Sequence, residues 1–290
     1  MGASLLTLAL LAMAPVMTAP STAPSTAPAA SRVLVICSPG SPGTTAQAQP
    51  TLDAFAAAAE KSAGWPGGTL AAVYFESAET GIPRIKQEDA SLAMVPLPFL
   101  MEHGAALGLT PKLTAIPDSG PSETWSLVAK KGAVTSPASL TGWEVTGSPG
   151  YASGFVRGPV LGTWGTLPDD ARITFTPRAL GALRRAASGE KVAVILDNAQ
   201  TAALGSLPFA ADLEIVHSSA PLPSGFLCTV ADRLPTHQAG KLFTGLMRLH
   251  DTPEGKEILK TMRMTRFAVV EQEALDTVRR SLPGSAAAAK

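Results

Sequence analysis

Three sets of residues have types and spacing that could do chemistry. The first is the run Gly147-Ser-Pro-Gly150-Tyr151-Ala152-Ser153-Gly154-Phe155. Its glycines allow a tight turn and a close backbone approach to a ligand, and free N–H groups at the start of a following helix would point into that turn. An ordinary strand-to-helix turn has the same composition, so a ligand cradle and a plain connection both remain open. The second set is Glu76 and Asp197, carboxylates that each follow an apolar run and could pair as general acid and base. Two surface carboxylates fit the same pattern. The third is Cys37, Cys228 and the four histidines, His103, His217, His237 and His250. The histidines lack ligand spacing, which points to no metal site. Both cysteines lie inside strand-like apolar runs and read as buried thiols rather than a disulfide, although an oxidising compartment would permit pairing.

Enzyme signatures are missing. Gly150-Tyr-Ala-Ser153-Gly154 places its serine one residue late for a G-x-S-x-G nucleophile elbow. Neither a phosphate-loop nor a dinucleotide glycine pattern occurs, and no cofactor is implied. Composition excludes more. Among 290 residues, 23 basic and 23 acidic side chains leave no net charge, so there is no electrostatic footprint for nucleic acid. Aromatic residues at 5% argue against a base-stacking platform.

The elements that must position these groups begin after a leader. Residues 5–13 are apolar but too short to span a bilayer, and residues 18–30 form a tract of Ala, Pro, Ser and Thr that cannot build a core. A signal peptide and an extended leader over residues 1–30 are expected, with cleavage near Ala19 or Ala30. No Lys or Arg precedes the apolar run. Residues 32–37 read as a strand and Ser38-Pro-Gly40-Ser-Pro-Gly43 as a turn. Leu52, Phe55, Ala56 and Ala59 recur at helical spacing as far as Gly64. A strand at 69–75 ends at Glu76, Ser77 and Thr80. A helix is predicted at 82–88, a strand at 90–95, a helix from Pro96-Leu97-Pro-Phe99 to about 107, and a strand at 112–116.

From Trp125 the pattern resumes. A strand at 126–130, a helical link at 139–142 and a strand from Glu144 lead into the glycine-rich run. Further strands are predicted at 172–175, 191–196 and 213–217, with a helix at 178–187 and Asp197-Asn198 closing the second of these strands. Residues 226–230 read as a return crossover. The remainder reads as helical, over 235–249, 253–262 and 271–282, with Asp251-Thr252-Pro253-Glu254 a well-formed helix start. Strands alternating with helices imply an α/β protein with mainly parallel sheets and ligand loops at the strand carboxyl ends.

Over about residues 31–275 this order resembles the type 2 periplasmic-binding fold, and within it the phosphonate-binding branch of ABC-transporter solute-binding proteins. The resemblance rests on Ala90-Ser-Leu-Ala-Met-Val95, Ser126-Leu-Val-Ala-Lys130, Ser139-Leu-Thr-Gly142, the Ser153-Gly-Phe155 turn, and the helix start at 251–259. It implies a two-lobed fold, two α/β domains joined by two crossover strands, with residues 31–125 plus 230–290 as lobe one and 126–229 as lobe two. It also implies a small ligand held between the lobes, a monomer, and an ABC permease and ATPase as partners in the periplasm. Contacts would come from Ser38 and Gly40, from Glu76 and Ser77, from Pro96, Leu97 and Phe99, from Trp125, from Tyr151, Ala152, Ser153, Gly154 and Phe155, and from Asp197 and Asn198.

The sequence departs from that pattern where charge matters. Pro149 removes one N–H donor from the turn, and the loops after the first and third strands carry almost no charge. Glu76 and Asp197 would repel an oxyanion unless Arg157 or Lys130 paired with them. A less charged or apolar ligand therefore competes with a phosphonate, walled by Leu97, Phe99, Trp125, Tyr151 and Phe155. A carrier or sensor for an apolar ligand is the alternative to an importer component, and an enzyme on the same fold is the third possibility. If the leader directs export, protein recovered from the periplasm begins between Pro20 and Ser31. Intact-mass measurement of the fractionated protein checks this, and a retained Met1 would remove the export argument.

Overall fold

Val33 to Cys37 is apolar without interruption, and such a strand is stable only with both faces covered. The structure, a computed structural model, describes residues 32–41 and 43–284, so the leader at 1–30 and Pro42 of the first loop lie outside the described residues. In it Arg32–Cys37 (β1) sits inside a sheet. Val33, Val35 and Cys37 face one core and Leu34 and Ile36 face another. Helix Thr45–Ala63 (α1) follows. Thr44 and Gln47 form a reciprocal capping box at its start, and Gly64 ends it in the left-handed conformation at φ 65°. Leu52, Phe55, Ala56 and Ala59 are buried on one stripe, as their spacing requires.

Lobe one continues with Leu70–Phe75 (β2), Ala78–Ile85 (α2), Ala90–Pro96 (β3), Leu97–His103 (α3) and Leu109–Pro117 (β4). Ser122–Glu123 (β5) then leads into lobe two. That lobe comprises Ser126–Lys130 (β6), Glu144–Gly147 (β7), Ser153–Phe155 (α4), Arg172–Phe175 (β8), Ala179–Ser188 (α5), Val192–Leu196 (β9), Asn198–Ala203 (α6) and Leu213–Ser218 (β10). Leu222–Pro223 (β11) crosses back to Gly225–Val230 (β12), Thr236–Met247 (α7), Pro253–Thr261 (α8), Met264–Val269 (β13) and Gln272–Ser281 (α9). One sheet runs β13-β4-β12-β3-β1-β2 and the other β10-β6-β9-β7-β8, with β11-β5 a separate ribbon between them.

This is the expected α/β architecture of two lobes joined by two crossovers, with differences that have physical causes. The sheets are mixed. β1 pairs in parallel with β2 and β3, and β7 with β8 and β9, but β12 and β6 run antiparallel to their neighbours. Each is the first strand after a crossover, entering its sheet from the hinge end. β12 lies between β4 and β3, so lobe one resumes at Gly225. Strand β13 stands where the sequence reads only as helical. Its buried residues, Met264 and Phe267, are three apart because the register shifts between Met264 and Arg266, and that spacing fits a helix equally well.

The C-terminal helix also departs from expectation. α9 packs on β11 and on the turn at 156–160, so it braces the hinge and lobe two rather than lobe one. Gly158 admits the Ser281 carbonyl at a distance that a Cβ would fill. Helix α2 ends at Ile85, where Arg233 donates hydrogen bonds to the carbonyls of Ile85, Lys86, Gln87 and Ala90. The cysteines are free and buried, and burial pushes each thiol up to about 12. β3 separates their strands, which puts their backbones about 10 Å apart, beyond disulfide reach.

Gly81 of α2 lies so close to Cys37 Sγ that a Cβ there would overlap it. Gly81→Ala is expected to destabilise the fold by about 1–3 kcal/mol. The added substitution Cys37→Ala is expected to restore part of that loss. Urea denaturation of the single and double variants checks it, and strictly additive losses would count against the overlap.

Candidate functional site

The hinge is built first. β5 and β11 are too short to hold themselves, and side chains from lobe two complete their hydrogen bonding. Asn198 donates from Nδ2 to the Ser122 carbonyl at 3.1 Å, and its Oδ1 accepts the Thr124 N–H at 2.9 Å. Ser219 Oγ accepts the Trp125 N–H at 3.0 Å, and the Ser219 N–H donates back to the Trp125 carbonyl at 2.9 Å. On the lobe-one side the Leu97 N–H donates to the Ser224 carbonyl at 2.9 Å. Asn198, expected at the ligand, is thus a hinge residue.

Around this hinge the lobes are closed on one another. Gly40, at φ 85°, has no room for a side chain: a Cβ would lie 3.3 Å from Ser148 and 3.3 Å from the Phe175 ring across the cleft. A single apolar core runs from β1 and α3 through Trp125 to Phe155 and Val156 of lobe two. The Trp125 and Phe155 rings meet edge to face at 6.2 Å, and those of Tyr151 and Phe175 at 5.9 Å. Phe175, beside Gly40 and Tyr151, remains 42% exposed.

Tyr151 occupies the junction. Its hydroxyl is sealed from solvent and has no hydrogen-bond partner among the described residues. Burial raises its pKa far above the ordinary value, with smaller contributions from Cys37 and Glu102 of lobe one and Glu123 of the hinge. Glu123 is the second unusual group. Burial, then the neighbouring Asp197 carboxylate, pushes it up to about 7, and no hydrogen bond from the described residues offsets them. A buried, unpaired tyrosine hydroxyl and a half-buried carboxylate with no hydrogen bond from the described residues thus belong to lobe two and to the hinge ribbon.

The remaining expected residues divide. Tyr151, Trp125 and Phe155 are brought together. Leu97, Phe99, Ala152 and Phe155 are fully buried as packing residues. Ser38 bonds Ser41 near the surface at 2.8 Å, while Glu76 and Ser153 are exposed. Pro96 is the last residue of β3, and Gly154 lies beside Pro283. Ser77 and Asp197 are helix caps. Ser77 Oγ accepts the Thr80 N–H at 3.3 Å, and Asp197 Oδ1 accepts the Gln200 N–H at 2.8 Å. Gly147 and Gly150 admit the backbone carbonyls of Ile195 and Thr174, so these glycines serve strand packing. Neither proposed cation joins the carboxylates. Arg157 donates to the carbonyls of Leu167, Pro168 and Ala171, and the Lys130 ammonium lies beside Gly189.

Glu123 and Phe175 were not legible as site residues. Glu123 belongs to a two-residue strand with no periodicity, and Phe175 ends a strand whose apolar partners suggest core. A groove of about 1010 Å³ also opens behind lobe one between α1, α7 and α8, far from the hinge. Among the described residues no helix is long and apolar enough to cross a membrane, and no three His, Cys, Asp or Glu side chains converge on a metal position.

Two α/β lobes, each with its own sheet, joined by a two-strand hinge and closed over a cleft, define the two-lobed fold of periplasmic binding proteins. Comparison with solved structures shows the same fold. XAC2383 from Xanthomonas citri, solved with chloride, superposes with a TM-score of 0.68 at 14% identity over 88% of this chain and 99% of its own. A binding-protein component of an ABC phosphonate transporter from Pseudomonas aeruginosa gives 0.60 at 15% identity, over 86% of this chain and 85% of its own. PhnD1 from Prochlorococcus marinus, in complex with methylphosphonate, gives 0.54 at 16% identity, over 86% of this chain and 96% of its own. No family model and no curated protein matches the sequence.

Glu123 makes stability depend on pH. The folded protein holds its proton up to about pH 7, whereas an unfolded carboxyl releases it near 4.5. The unfolded chain therefore binds fewer protons in that window, and stability falls as the pH rises from about 4.5 to 7. Glu123→Gln is expected to flatten this decline and to raise the melting temperature at pH 8 by a few degrees. Thermal melts at pH 5 and pH 8 check both, and an unchanged profile would place Glu123 in water.

Proposed function

We propose that this chain is a solute-binding protein that captures a small molecule between its lobes and delivers it to an ABC importer, working in the periplasm after export. The observation that carries the reading is the Tyr151 hydroxyl, sealed and unpartnered where lobe one, lobe two and the hinge meet. Native structures satisfy nearly all buried polar groups, so a lone hydroxyl in a cleft marks a position where a ligand supplies the partner. Hinge opening admits the molecule, and closure buries it against Tyr151, Trp125 and Phe175. The likeness in fold to a phosphonate-transporter component supports the transport role. With Arg157 held by the carbonyls at 167–171 and the Lys130 ammonium beside Gly189, the cleft suits a ligand less charged than a phosphonate. A periplasmic carrier or sensor would use the same aromatic walls.

Tyr151→Phe separates binding from folding. Losing one ligand hydrogen bond weakens binding roughly 3- to 10-fold, while removing an unsatisfied hydroxyl leaves stability equal or higher. Native mass spectrometry of the wild-type protein from its own periplasm identifies the bound molecule, and titration with that molecule compares the variant. Unchanged affinity would move the site away from Tyr151.

A further inference from the structure

We propose, resting on the binding role above, that α9 is a strap whose docking on lobe two sets the balance between open and closed lobes. Its path is the first observation. β13 belongs to the sheet of lobe one, where it pairs with β4, and it ends at Val269. The chain then passes inward through buried Val270, and α9 packs on β11 of the hinge and on the turn at 156–160 of lobe two. Besides the β5–β11 ribbon, a third passage of chain at 270–271 therefore joins the lobes.

The second observation is how α9 is held. Leu275 and Val278 are its buried residues, and both join the apolar core that runs from β1 and α3 through Trp125 to Phe155. Its last turn rests directly on lobe two. Gly158 admits the Ser281 carbonyl where a Cβ would stand, and a Cβ at Gly154 would lie 3.9 Å from Pro283 Cδ. On the outward face Arg279 pairs with Asp276 at 3.0 Å and Arg280 donates to Thr277 at 2.9 Å, both within the helix. β13 is anchored separately. Its Phe267 packs with Leu113, Leu242 and Leu259 in a second core, which α9 does not enter. A helix held by two apolar side chains and one backbone fit can detach as a unit while lobe one stays folded.

Rooted in lobe one by β13 and seated on lobe two at Gly158, α9 spans the hinge. Parting the lobes with β13 fixed in its sheet pulls Ser281 away from Gly158. Docked, the strap favours closure; undocked, it frees the hinge. Ligand entry and release then quicken together, because one opening serves both.

The test is electron paramagnetic resonance of the full chain with paired spin labels on exposed positions and no added ligand. Glu79→Cys with Arg184→Cys spans the two lobes, and Ala274→Cys with Arg184→Cys spans α9 and lobe two. Cys37 and Cys228 are buried with thiols raised to about 12, so they stay unlabelled. Gly158→Ala and, independently, Leu275→Ala undock the strap, with circular dichroism to check that the fold is kept. Ser148→Trp is a wedge away from α9, since a Cβ at Gly40 would lie 3.3 Å from Ser148 across the cleft. The expected result is that both distances lengthen by several ångströms in each strap variant and in the wedge. Strap variants that lengthen only the α9 distance, or neither, would overturn the strap. A wedge that opens the lobes while α9 keeps its distance to lobe two would do the same. Each of these leaves the binding role standing as long as the wedge moves the lobes. An interlobe distance that neither the wedge nor the strap variants change would mean one rigid body, and would overturn both.

Discussion

Everything in this molecule hangs on a ribbon of two short strands that cannot support itself. β5 and β11 offer two residues each, far below what an isolated hairpin needs. They persist because Asn198 and Ser219 supply the missing donors and acceptors, and because α9 packs on β11. That support comes almost wholly from lobe two. The ribbon is therefore tied mainly to lobe two, and lobe one meets it through the junctions at β4, β12 and the Leu97–Ser224 hydrogen bond. A hinge of few residues, anchored on one side, is the arrangement that lets two rigid bodies close without unfolding either.

The cost of that hinge appears at two groups. A crossing segment must pass between the lobes, and whatever it carries is stripped of water when they close. Here it carries Glu123 and delivers Trp125 to the interlobe core. The Tyr151 hydroxyl faces the same space from the other side. Elsewhere several buried groups find partners. Glu60 accepts the N–H groups of Gly68 and Leu70, and Arg233 gathers the carbonyls at the end of α2. Trp65 Nε1, Thr201 Oγ1 and His250 Nδ1 are also buried without a partner among the described residues, so what sets the Tyr151 hydroxyl apart is its place beside the hinge.

Much of the architecture was legible from residues in order. The uninterrupted run at β1, the stripe of Leu52, Phe55, Ala56 and Ala59, and the helix start at Thr252-Pro253-Glu254 all report local forces, and each element formed where those forces placed it. Legibility failed where a local signal had two solutions. Ser77 and Asp197 stand at strand ends, where ligand residues are sought, but the same place is where helix caps belong, and capping claimed both. Gly147 and Gly150 suggested room for a ligand, while the structure uses that room for the neighbouring strands. The bulge in β13 gave a strand the spacing of a helix.

What the sequence determined by itself was the alternation of elements; the two α/β lobes joined by a double crossover were what the family resemblance in their order implied. Periodicity, caps and apolar runs act over a few residues and survive being read in isolation. Only the tertiary structure decided which side chains face the cleft. Glu123 becomes a half-buried carboxylate because Leu222, about a hundred residues later, pairs with it, and α9 crosses from the far end of the chain to brace that pair. Gly40 meets Phe175, 135 residues later, only because the two lobes pack together. Desolvation depends on everything that surrounds a group, and no window of sequence contains those surroundings.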